Sequence, residues 1–134
     1  MLMKNVSVLI VDDERHIRAL LNLLVSTLGA AVVAEAADGE EAVRQFEQHR
    51  PDLVLLDLNM PKLDGLGALQ RIRSAHPDAT VIMLTSVNAV SVVSACIDAG
   101  AQGYILKDTP AQELGGEIAR AWQEAMANRA TGGA

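Results

Sequence analysis

With 134 residues, half of them hydrophobic, the chain can build one domain around a sizeable core, and no shift in composition marks a second. A formal charge of -6 excludes a general nucleic-acid-binding surface, which needs clustered Lys and Arg to neutralise phosphates. Cys96 is the only cysteine, so an intramolecular disulfide is excluded, a reducing cytoplasm is the simpler setting, and the thiol reads as a small core group.

Lys4 precedes an apolar run that is cut off by Asp12-Asp13-Glu14, too short for a signal-peptide core, and no later run is long enough to span a membrane. That run, Val6 to Val11, predicts the first strand, and Asp12 or Asp13 is placed to cap the helix that follows. Ile17, Leu20, Leu21, Leu24 and Leu28 recur at three- and four-residue intervals and give that helix one apolar face; Gly29 stops it. Ala31 to Glu35 reads as a weaker strand at a sheet edge. Asp38-Gly39 turns into a helix of about ten residues, with Ala42, Val43 and Phe46 inward and Pro51 as its end.

Leu53 to Leu56 is an unbroken apolar run that ends at Asp57, as expected of a strand covered on both faces, and Pro61 argues against a helix through the same region. Leu63 to Ala75 predicts the third helix, with Leu66, Leu69 and Ile72 inward, before the His76-Pro77-Asp78 break. Val81 to Leu84 is the fourth strand and ends at Thr85-Ser86. Asn88 to Ala99 reads as a helix closed by Gly100, but Val90, Val92, Val93 and Ile97 are poor helix formers, so packing must hold it. Tyr104 to Leu106 is the fifth strand and stops at Lys107. Thr109-Pro110-Ala111-Gln112 then forms a helix start, with Thr as cap, Pro at the first position and Gln completing a capping box. The last helix carries Leu114, Ile118, Ala121, Trp122 and Ala125; Gly115-Gly116 inside it costs about 2 kcal/mol relative to two alanines.

Strands alternating with helices predict parallel strands and right-handed crossovers. The element count fits an α/β, flavodoxin-like, doubly wound (βα)5 fold with a five-stranded sheet in the order 2-1-3-4-5. In that order strands one and three flank the topological switch point, so Asp12, Asp13 and Asp57 share one pocket. Two like charges 4 Å apart repel by about 4 kcal/mol at an effective dielectric near 20, and a third carboxylate makes a cation necessary. Oxygen-only donors favour Mg2+. Phosphoryl transfer depends on positioning and charge stabilisation: Asp57 can act as nucleophile, while Lys107 and Thr85 face the phosphoryl oxygens.

Asp12-Asp13 after the first strand, Asp57 in LDLNMPKLDG, Thr85 in MLTS and Lys107 in GYILKD together resemble the receiver domain of bacterial two-component response regulators over nearly the whole chain. The resemblance implies a receiver domain over residues 4–127, with 128–134 as a disordered tail. It implies that Asp57 takes a phosphoryl group from a histidine kinase or phosphotransfer protein, catalysing only its own phosphorylation and dephosphorylation. Asp13, Asp57 and the backbone carbonyl of Asn59 would bind Mg2+ or Mn2+ directly, with Asp12 acting through water. Thr85 and Tyr104 would form a switch that reshapes the face of the fourth helix, fifth strand and fifth helix, where an output partner or a phosphorylation-dependent homodimer would dock.

Asp108 follows Lys107 where many receivers have proline, and GYILKDTPAQEL is similar to receivers of NarL- and LuxR-type transcription regulators. An isolated receiver piece and a stand-alone regulator both remain open. A degenerate receiver acting as a constitutive interaction module is the alternative reading. Other classes fit less well. A histidine phosphotransfer bundle would lack these strands, a haloacid-dehalogenase-type phosphatase needs a second Asp where Asn59 stands, and a flavodoxin needs a Ser/Thr/Gly-rich loop in place of Asp12-Asp13-Glu14-Arg15.

Overall fold

A computed structural model describes residues 2–130. Five strands, β1 (Ser7–Val11), β2 (Ala31–Ala36), β3 (Leu53–Leu56), β4 (Val81–Thr85) and β5 (Gly103–Leu106), alternate with α1 (Arg15–Thr27), α2 (Gly39–His49), α3 (Gly65–Ala75), α4 (Val90–Asp98) and α5 (Ala111–Ala130). All neighbouring strands are parallel and the order is β2-β1-β3-β4-β5, as the alternation of elements implies.

Strand residues alternate between two cores because successive side chains point to opposite faces. Leu9, Val11, Val54, Leu56, Val81 and Met83 meet Phe46 of α2, Leu69 and Ile72 of α3 and Cys96 of α4 on one side. On the other, Val8, Ile10, Leu53, Leu55, Ile82 and Leu84 meet Leu21 and Val25 of α1 and Leu114 and Ile118 of α5. Every residue of β3 is therefore buried, and its apolar run needs no polar face.

Element ends differ from the sequence expectation where a cap intervenes. α3 begins at Gly65 rather than Leu63, because Asp64 takes the cap position and accepts from the Gly67 N–H at 2.8 Å. α2 is capped in the same way by Asp38, which accepts from the Glu41 N–H at 2.8 Å. α4 is shorter than expected and starts at Val90 behind Ala89, which has no side chain to offer. α5 begins at Ala111, with the Pro110 carbonyl accepting from the Leu114 N–H at 3.0 Å. Its last turn runs to Ala130, so 128–130, assigned to the tail from sequence, are helical; the rest of that expected tail, 131–134, lies outside the described residues.

Candidate functional site

The parallel register brings the acidic groups together. Val11 is paired with Leu56, so Asp12 and Asp57 emerge side by side as the next residues of neighbouring strands. Backbone bonds hold both: the Asp57 N–H donates to the Val11 carbonyl and the Asp12 N–H to the Ala36 carbonyl, each at 3.0 Å. Asp12 and Asp57 are buried and Asp13 is exposed at the mouth; one oxygen from each lies within 4.8 Å of the others.

β5 delivers the counter-charge. Thr85 is paired with Leu106, and the Lys107 N–H donates to the Thr85 carbonyl at 2.9 Å, which sets Lys107 at the same sheet edge. Its Nζ lies 2.6 Å from Asp12 Oδ2 and 3.1 Å from Asp57 Oδ2. Burial works against the Lys107 ammonium, but its close pairing with Asp12 and its hydrogen bond to Asp57 outweigh that and hold its pKa above the ordinary lysine value. Burial likewise pushes the Asp12 carboxyl up, more than Lys107 and the Glu14 N–H pull it down.

The Lys107 contact at Asp12 Oδ2 is an ion pair rather than a well-aligned hydrogen bond, and this buried oxygen receives no other bond. Of the three clustered carboxylates, the single ammonium contacts two, Asp12 and Asp57. Hard oxygen donors, one of them short of hydrogen bonds, suit a small divalent cation. Asn59, the remaining ligand expected from sequence, is exposed in the β3–α3 loop two residues past Asp57.

Neither Asp12 nor Asp13 takes the α1 cap position expected from sequence. Glu14 occupies it without a side-chain bond, and Asp12 Oδ1 instead accepts from the Glu14 N–H at 2.9 Å. The carboxylate thereby braces the turn while its other oxygen faces the pocket.

Thr85 is fully buried at the end of β4, and Tyr104 is half-buried on β5. Val87 lies between them. Its N–H donates to Thr85 Oγ1 at 3.4 Å, and its carbonyl accepts from the Tyr104 hydroxyl at 2.6 Å. Burial raises the Tyr104 pKa, so the phenol stays protonated and able to donate.

Sequence reading missed Arg18. Its Nη1 donates to the Asp12 carbonyl at 2.7 Å and its Nε to Glu35 at 3.1 Å. On a helix an Arg beside an apolar stripe has the pattern of a solvated charge, and nothing in the periodicity marks its reach over the first turn.

Residues 8–119 match the family described as the response regulator receiver domain. The chain is 42% identical over 116 residues to a probable transcriptional regulator, ycf27, of Porphyridium aerugineum, covering 87% of this chain and 48% of that protein. It is 37% identical to the chemotaxis protein CheY of Bacillus subtilis, covering 80% of this chain and 89% of CheY. Among solved structures, a chain of the CheX–CheY–BeF3–Mg complex from Borrelia burgdorferi superposes with a TM-score of 0.83 at 31% identity, covering 89% of this chain and 90% of that one. A LuxR-family response regulator from Aurantimonas gives a TM-score of 0.82 at 29% identity, over 95% and 99% of the two chains. The chain spans about half the length of the transcriptional-regulator relatives it matches first. With the family matched along most of its length and the strand order shared, the chain belongs to the response regulator receiver domains of two-component signalling systems.

Proposed function

We propose that this receiver works as a phosphorylation switch with Asp57 as phosphoacceptor, within a domain spanning about residues 4–127. A phosphohistidine of a histidine kinase or phosphotransfer protein is the donor. An Asp57 carboxylate oxygen attacks phosphorus, the new P–O bond forms as the donor's P–N bond breaks, and the electron pair leaves on the imidazole nitrogen, which is protonated from solvent. Lys107 balances charge on one phosphoryl oxygen and the Thr85 hydroxyl donates to another. Asp13, Asp57 and the Asn59 carbonyl would hold Mg2+ or Mn2+ directly, with Asp12 acting through water. When bound, that ion supplies neutralisation of the acidic pocket and polarisation of the phosphoryl oxygens. Water later attacks phosphorus and the acyl phosphate P–O bond breaks, restoring the carboxylate.

The observation that carries this reading is the Lys107 ammonium within 3.1 Å of Asp57 and 2.6 Å of Asp12 at the end of the buried strands. Movement of the Thr85 hydroxyl toward the phosphate breaks its contact with Val87, and the Tyr104 hydroxyl is released with it. The face of α4, β5 and α5 then changes shape for an output partner or a second copy of the domain. Incubation with a small phosphodonor and Mg2+, followed by intact mass, tests the assignment: one phosphoryl group is expected on the wild type and none on Asp57→Asn. A wild type that gains no phosphate overturns it.

Decay of the phosphorylated form is slow, because the apolar Val87 offers an attacking water no hydrogen bond. Val87→Asn or Val87→Glu accelerates loss of phosphate in a single-turnover decay assay; an unchanged rate counts against this account.

A further inference from the structure

We infer that Arg18 is the positioning residue for the acidic pocket: it fixes the Asp12–Asp13 peptide, and through that peptide the aim of Asp13, without touching any carboxylate of the site. The inference rests on the cation-binding part of the proposed function. Each polar group of Asp12 meets a partner, although Oδ2 has only the Lys107 ion pair and no hydrogen bond. Its N–H donates to the Ala36 carbonyl at 3.0 Å, its Oδ1 accepts from the Glu14 N–H at 2.9 Å and its Oδ2 faces Lys107 at 2.6 Å. Arg18 supplies the remaining contact, from Nη1 to the Asp12 carbonyl oxygen at 2.7 Å.

That carbonyl belongs to the planar peptide joining Asp12 to Asp13, so its orientation sets where the Asp13 Cα and side chain begin. Asp13 itself is exposed at the mouth of the pocket and gains its direction from the backbone. The guanidinium is held in turn. Glu35 on β2 accepts from Arg18 Nε at 3.1 Å and from Asn22 Nδ2 at 3.4 Å, and the Arg18 side chain is only 16% exposed. A planar fork can serve a carbonyl and a carboxylate together; a lysine ammonium on a flexible stem has no such fixed geometry.

Positioning and simple electrostatics predict opposite signs. Removing a positive charge near a cation site strengthens cation binding on Coulombic grounds. Losing the peptide's orientation weakens it, by about tenfold on the scale of outer-shell supports to metal ligands.

Mn2+ titration followed by electron paramagnetic resonance of the free ion gives the affinity directly, with no phosphorylation step. Arg18→Ala is expected to weaken Mn2+ binding about tenfold, and Arg18→Lys, which keeps the charge, to weaken it nearly as much. Glu35→Gln, which leaves Arg18 in place but loosens its anchor, gives a smaller loss and covers the case in which Arg18→Ala does not fold. Amide exchange at Asp13 and Glu14 quickens in the same order. Affinity that rises or holds in Arg18→Ala, or is fully restored by Lys, overturns the inference while the wild type still binds Mn2+. A wild type that binds no Mn2+ overturns the cation reading itself, and this inference with it.

Discussion

Helices α3 and α4 follow neighbouring strands on the same face of the sheet, yet they are held by different means. α3 has a capping carboxylate, Asp64, and buries Gly65, Ala68, Leu69 and Ile72. Its first residue is wedged against the strand end that carries Asp57: the Gly65 N–H donates to the Leu58 carbonyl at 2.9 Å, and a Cβ at Gly65 would lie 2.0 Å from the Asp57 carbonyl oxygen. α4 has no side-chain cap and a single buried residue, Cys96, while Val90 is 84% and Ile97 48% exposed. Its β-branched residues have low intrinsic helix propensity, so neither local preference nor packing anchors it firmly. The strand carrying Asp57 is thus clamped by α3, while α4, the helix after Thr85, has few anchors.

The largest effect comes from breaking the clamp. Gly65→Ala forces the start of α3 away from β3 and is expected to cost about 3 kcal/mol in urea denaturation, since backbone atoms, not a flexible side chain, stand in the way. If the variant unfolds at the wild-type midpoint, the wedge is not what holds α3.

Native-state hydrogen exchange compares the two helices directly. Amides in the middle of α4 are expected to exchange about tenfold faster than those in the middle of α3, equivalent to about 1.4 kcal/mol in local opening. Uniform protection of both helices removes the distinction. Capping sharpens it at a smaller scale: Asp64→Ala costs about 1 kcal/mol, and Ala89→Asp gains several tenths of that by giving α4 the cap it lacks. Equal and opposite movements of the two exchange profiles would show that caps, rather than burial, set the difference.

The smallest effect is a pH dependence at α2, which is capped like α3. The Glu41 N–H, then the nearby Lys62, hold the Asp38 carboxyl below its ordinary value of 3.8 despite some burial. A depressed carboxyl stabilises the fold above the unfolded value and loses that contribution as pH falls through the folded one. The advantage of wild type over Asp38→Asn in thermal unfolding is therefore expected at neutral pH and to vanish in acid. An advantage that grows on acidification would contradict the sign.

Strand ends were readable because a buried strand leaves an uninterrupted apolar run, and the residue that stops it must sit at the sheet edge. Asp12, Asp57, Thr85 and Lys107 follow from that logic and from parallel register. The facing of α4 was not readable. Val90, Val92, Val93 and Ile97 give a helix apolar on most sides and so no contrast to orient it; Cys96, read as a core group from its type alone, is buried, with Val92 packed beside it. The α1 start misleads for a related reason: Asp is a good cap in isolation, and only the three-dimensional pocket gives Asp12 a competing role. Arg18 stays hidden because its partners are a backbone carbonyl and a residue of another element.

One consequence follows from Val87. Thr85 and Tyr104 are linked through the amide and carbonyl of this residue, so the tie runs through main-chain groups that every amino acid except proline possesses. Its side chain, which packs against the core beside α4, takes no part in that tie, so under the proposed function a change there is expected to alter the lifetime of the signal while the main-chain link stays in place. Under the proposed function, timer and transmission would then be separable at a single position.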